Sequence, residues 1–138
     1  MRVLSRSDIL GAADLPREFV RTPEWAGGDP EAGVYVRTIT GAERDEFEQG
    51  TLERRGRNIE VNLANIRAKL VAVCAADETG KQIFTEEDVA ALGRKSAAPL
   101  DRLFSAAQRL SGFNQADIDE LAKNSPNGQL SSSLIGSP

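Results

Sequence analysis

The chain has 138 residues, 40% hydrophobic and 28% charged, which suits one domain with a modest core. Its 17 Lys+Arg against 21 Asp+Glu give a net charge of -4, and that balance argues against nucleic acid as a partner, because binding by counterion release needs a basic face. Histidine is absent and Cys74 is the single cysteine, so no Ser-His-Asp or Cys-His set, no histidine-bearing metal site and no intramolecular disulfide can form.

The opening MRVLSRSDIL lacks the continuous apolar stretch of a signal peptide, and no segment approaches the ~20 apolar residues of a membrane-spanning helix. A soluble chain that stays in the cytoplasm and has no membrane partner is expected. Residues 5–13 predict a short capped helical turn, weakened by Gly11 and over by Pro16. Residues 17–22 alternate polar and apolar types around Phe19 and Val20, and VYVRTI at 34–39 is rich in β-branched and aromatic residues. These predict the paired strands of a hairpin over about 17–39. The density of Pro and Gly between them predicts a long connecting loop. That loop holds the only tryptophan, Trp25. Its ring either folds back on Phe19, Val34 or Tyr35 or stands out as a partner contact, since tryptophan is enriched in binding hot spots.

Thr40 and Glu43 have the spacing of a capping box, and a helix through Phe47 follows. GTLERRGRN at 50–58 breaks the apolar pattern and reads as a loop or frayed helix end. It carries the one basic cluster, Arg54, Arg55 and Arg57, with no aromatic interleaved to stack on bases, so its uses are solvation or contact with an acidic partner surface. Ile59, Leu63, Ile66, Leu70 and Val73 recur at steps of four and three, which predicts a central helix presenting one face to the core or to a partner groove.

Residues 77–81 predict a turn and 82–84 a short extended piece. Thr85 to Asp88 form the next helix start, with Phe84 and Val89 spaced as a hydrophobic staple. The same grammar returns at Phe113, Asn114, Asp117 and Ile118. Between them, residues 96–110 predict a helix with Leu100, Leu103, Phe104, Ala107 and Leu110 on one face, Pro99 in its first turn and Gly112 as its stop. SPNGQLSSSLIGSP at 125–138 has no charge and predicts a flexible tail whose Leu130, Leu134 and Ile135 are candidate partner contacts. The expected fold is α+β, a hairpin followed by a small bundle of four to five helices. It forms one domain over 1–124, with the helical part at 41–124.

Residues 77–88, DETGKQIFTEED, have the length of a calcium loop but put Lys81 where an oxygen ligand is needed and Gln82 where the sharp turn needs glycine. The acidic clusters Glu86, Glu87, Asp88 and Asp117, Asp119, Glu120 fall in first helical turns, where the helix dipole favours negative charge. Gly27-Gly28 lacks the lysine and helix start of a phosphate loop. Cys74 lies in the apolar run LVAVC and reads as a buried, inert thiol. No catalytic, cofactor-binding or metal-binding residue is assigned, and a non-enzymatic interaction protein is expected.

Taken in order, PEWAGG, VYVRTITGAERDEFE, NIRAKLVAVCAADETGKQIFT, KSAAPLDRLFSAAQRLSG and LAKNS resemble the tail assembly chaperone family of long-tailed bacteriophages, over about residues 4–125. Each motif alone is unspecific; their order carries the likeness. The resemblance implies a protein of the host cytoplasm that binds the tape measure protein, keeps that long helical chain soluble, helps recruit tail tube protein, and is absent from the finished virion. Family members often occur as a short form and a longer, frameshifted form, and the change of composition after Asn124 suits such a divergence. The other reading is a structural neck or head-tail joining protein retained in the particle. A second copy of the chain is a further candidate partner.

Overall fold

The computed structural model describes residues 1–113 and 115–123. The expected tail with Leu130, Leu134 and Ile135 lies outside the described residues, as does Asn114. The first element is α1, Arg6–Leu10. The Asp8 amide donates to Ser5 Oγ at 3.1 Å and the Ser5 amide donates back to the Asp8 carboxylate at 2.9 Å, a capping box that satisfies two end groups at once.

Strands β1 (Arg17–Arg21) and β2 (Gly33–Arg37) pair antiparallel with Phe19 opposite Tyr35 and Val20 opposite Val34. Alternation sends Val20 and Val36 into the core and leaves Phe19 and Tyr35 on the other face, edge to face at 5.3 Å, with the Arg17 guanidinium over the tyrosine ring. A 3-10 turn at Pro23–Trp25 opens the connecting loop, and Gly27 and Gly28 take the positive φ that completes it. Helix α2, Gly41–Gln49, starts on the Thr40/Glu43 capping box and buries Phe47.

The next stretch departs from expectation. Residues 50–58 are no frayed end, and the helix expected from Ile59 begins only at Ile66. A second hairpin stands here instead, β3 (Leu52–Arg55) paired with β4 (Asn58–Val61) around Gly56 at φ 65°. Ile59 lies on a strand opposite Arg54. After β4, the Ala64 amide donates to Asn62 Oδ1 at 2.8 Å and Asn65 adopts a left-handed backbone at φ 59°, and neither feature belongs inside a helix. The steps from Ile59 to Leu63 to Ile66 imitate a helical face across a strand and a loop. From Ile66 onward the helical reading holds: α3, Ile66–Cys74, buries Ala68, Leu70, Val71, Ala72 and Cys74.

Two alanines, Ala75–Ala76, form β5 against β2, so the main sheet has the order β1-β2-β5. The Asp77 amide donates to the Lys81 carbonyl at 2.8 Å, closing the expected turn, and Gln82 returns to bridge Ala76. A 3-10 turn at Glu86–Asp88 leads into α4, Val89–Gly93. Helix α5, Ala97–Ser111, runs between Pro99 in its first turn and a left-handed Gly112, and α6, Gln115–Lys123, follows. One buried cluster joins Val20 and Val36 of the sheet, Leu70 and Val71 of α3, Leu100, Leu103, Phe104 and Ala107 of α5, and Ile118 of α6. The fold is α+β, an N-terminal hairpin followed by helices, with a second small hairpin inserted between α2 and α3. Among the described residues no helix is long and apolar enough to cross a membrane.

Candidate binding surface

Arg37 organises the surface. It is 7% exposed, and its guanidinium donates to both Glu43 carboxylate oxygens at 2.8 Å, to the Gly80 carbonyl at 3.1 Å and to the Thr38 carbonyl at 3.0 Å. A bidentate charge-assisted pair is geometrically demanding, so this one fixes α2 against β2 and against the turn that follows β5. The same contact neutralises Glu43, and the Arg37 hydrogen bonds hold its carboxyl below the usual carboxylate value.

Beside this junction, α2, α3 and the start of α4 splay around an open groove of about 470 Å³. Phe47, Ala72, Val73 and Val89 supply its apolar lining, while exposed Glu46 and Glu86 give it an acidic rim. Among the described residues Lys69 is the one cation of the lining, and its Nζ donates to the Gly50 carbonyl at 3.4 Å. A second groove, about 500 Å³, lies between β1 and α5. Its Arg102 and Arg109 are paired with Glu24 and Glu18, so its charges are largely answered within the chain.

Trp25 sits in the 3-10 turn, partly buried and packed against the core cluster. Its Nε1 is shielded from solvent and has no hydrogen-bond partner among the described residues. Arg54 and Arg57 are exposed on the second hairpin, and Arg55 ends β3 opposite Asn58. Trp25 and the arginines therefore belong to different hairpins, and Trp25, Arg54 and Arg57 are not among the described residues that line the groove between α2 and α4. Cys74 is fully buried, and that burial pushes its thiol up to about 11, so it is protonated at neutral pH and a poor nucleophile. Asp77 accepts the Thr79 and Lys81 amides, at 2.8 and 3.0 Å, and Asp88 accepts the Thr85 amide at 2.9 Å. Among the described residues no three Cys, Asp or Glu side chains come together in a metal-holding group.

Two features escaped sequence reasoning. The groove draws its apolar side chains from three separate elements, so no local pattern announces it. The segment before β1 leaves Val3, Leu4, Ile9, Leu10 and Leu15 exposed, and α1 buries nothing at all. Its signal was legible in part: the capped turn carries Ile9 and Leu10, but nothing in the sequence says that the chain fails to cover them.

No protein-family model, no curated protein and no solved structure matches the chain.

Proposed function

We propose that this chain is a non-enzymatic tail assembly chaperone: it binds the tape measure protein in the host cytoplasm, keeps that helical chain soluble, and helps recruit tail tube protein around it. The observation that carries this reading is the order of the five sequence motifs over residues 4–125. The surface is compatible with such a role. Among the described residues eight large apolar side chains are exposed, and an apolar groove bordered by three helical elements has the character of a seat for an amphipathic helix. Holding a long repetitive client calls for modest contacts repeated over many copies rather than for one deep site.

Co-expression with a tape measure protein from the same genome tests the reading. The expected outcome is that the tape measure chain moves from the insoluble to the soluble fraction and co-purifies. Unchanged solubility of that chain rejects the proposal, and so does stoichiometric retention of this protein in purified virions.

A further inference from the structure

We propose that the arm formed by residues 1–15 docks in the groove between α2, α3 and α4 of a second copy of this chain. The inference is independent of the chaperone reading and concerns the protein alone.

The arm leaves the body of the molecule at a fixed point. The Thr38 amide donates to the Pro16 carbonyl at 3.0 Å, and the Arg17 guanidinium binds the Glu78 carbonyl. Everything before that point is exposed, although the segment is not polar in the manner of a solvated tail. Its short helix is properly capped, so it presents Ile9 (57% exposed) and Leu10 (68% exposed) on a defined surface. A capped helix with no buried residue and two uncovered aliphatic side chains is half of an interface.

The groove is the other half. Its lining is apolar at Phe47, Val73 and Val89, and its rim carries Glu46 and Glu86, neither of which forms an ion pair among the described residues. The arm carries Arg2 and Arg6 with two acids, Asp8, which lies 3.8 Å from Arg2, and Asp14, which stands beyond the end of α1. Arg6 is thus the cation left to meet the rim. On α1 the apolar Ile9 and Leu10 match the apolar lining and the Arg6 guanidinium matches the acidic rim, which commits the site to the arm rather than to an arbitrary helix. The chain does not lay the arm on its own groove, so the contact is made between copies. Reciprocal exchange closes a dimer, and one-way donation extends a chain; both use the same contact.

Light scattering on the full-length protein over a range of concentrations tests this, with circular dichroism to verify folding. The wild-type chain is expected to self-associate. Leu10→Asp removes the donor, Ala90→Asp on α4 in the groove lining spoils the acceptor, and both positions are exposed, so each variant is expected to fold and to associate about tenfold or more weakly. Mixing the two variants restores one intact arm and one intact groove, and a heterodimer is expected. Arg6→Glu weakens association, and adding Glu46→Arg in the same chain restores it. A wild-type protein that stays monomeric overturns the inference. Association that survives both aspartates, or a mixture that yields no heterodimer, overturns it as well.

Discussion

Arg37 on β2 and Glu43 in the first turn of α2 share two parallel hydrogen bonds of 2.8 Å, and the same glutamate accepts the Thr40 amide at 3.0 Å. One carboxylate therefore caps a helix and anchors it to the sheet. Removing the cation leaves a largely shielded negative charge without its partner, which is the costly way to break such a pair. Arg37→Ala is expected to lose about 3 kcal/mol in urea unfolding, toward the lower end of the usual range because Glu43 keeps 21% of its side chain exposed. A loss well under 1 kcal/mol, the scale of a surface pair, would show that the junction does not hold α2.

Acid should expose the same pair. Hydrogen bonding to Arg37 lowers the Glu43 carboxyl below its ordinary 4.5, and hydrogen bonding to Arg109 lowers Glu18 likewise. A carboxyl that resists protonation when folded lets the unfolded chain bind more protons as pH falls, so its contribution is present above 4.5 and is lost as pH drops through the lowered folded value. The urea midpoint is expected to hold steady down to pH 4.5 and to decline below it. Glu43→Gln should start lower and show a shallower decline. An identical slope in that variant would assign the acid sensitivity to other carboxylates.

Trp25 is the only tryptophan, so its fluorescence reports one site. Packed against the core with a shielded Nε1, it is expected to emit to the blue of free tryptophan in the native state and to shift red on unfolding. Trp25→Ala opens space at the hairpin bend and should cost about 2 kcal/mol, less than a fully buried ring would. Trp25→Phe keeps most of the apolar surface and deletes a donor that has no acceptor, so it should stay within about 1 kcal/mol of wild type. A solvent-like native emission maximum, together with an Ala variant of unchanged stability, would mean that the ring is not seated.

Elements announced by a local chemical device were legible in the sequence. Thr40 with Glu43 begins a helix where the spacing said it would, a short capped helix stands within the turn expected over residues 5–13, and Pro99 and Gly112 bracket α5. What escaped was decided by backbone state or by distant partners. Ala75 and Ala76 have no strand signal of their own and become β5 because β2 offers an edge. Glu43 was readable as a cap, whereas its bond to Arg37 depends on the turn between β2 and α2. The groove depends on Phe47, Val73 and Val89 converging from three elements, and the arm's importance lies in contacts its own chain does not make. The second hairpin was masked by apolar spacing that suits helix and strand alike; the deciding residues are Asn62 and Asn65, through their turn chemistry.

Asn65 offers a test whose sign separates the two readings of this region. If residues 59–73 formed one helix, Asn65→Ala would stabilise the protein by up to about 0.7 kcal/mol, because alanine is the better helix former. With Asn65 at φ 59° the same change puts a Cβ-bearing residue less suited to the left-handed region in its place, and it should cost about 1 kcal/mol. Asn65→Gly should be neutral or stabilising for the same reason, since glycine enters that region freely. A neighbour strengthens the test: a Cβ built on Gly93 would collide with Asn65 Oδ1. Gly93→Ala is therefore expected to destabilise the wild-type chain, and much of that loss should disappear in the Asn65→Gly background, where the obstructing side chain is gone. Additive effects of the two substitutions, measured as a double-mutant cycle in urea, would separate Gly93 from Asn65 and with it the packing of α4 against the start of α3.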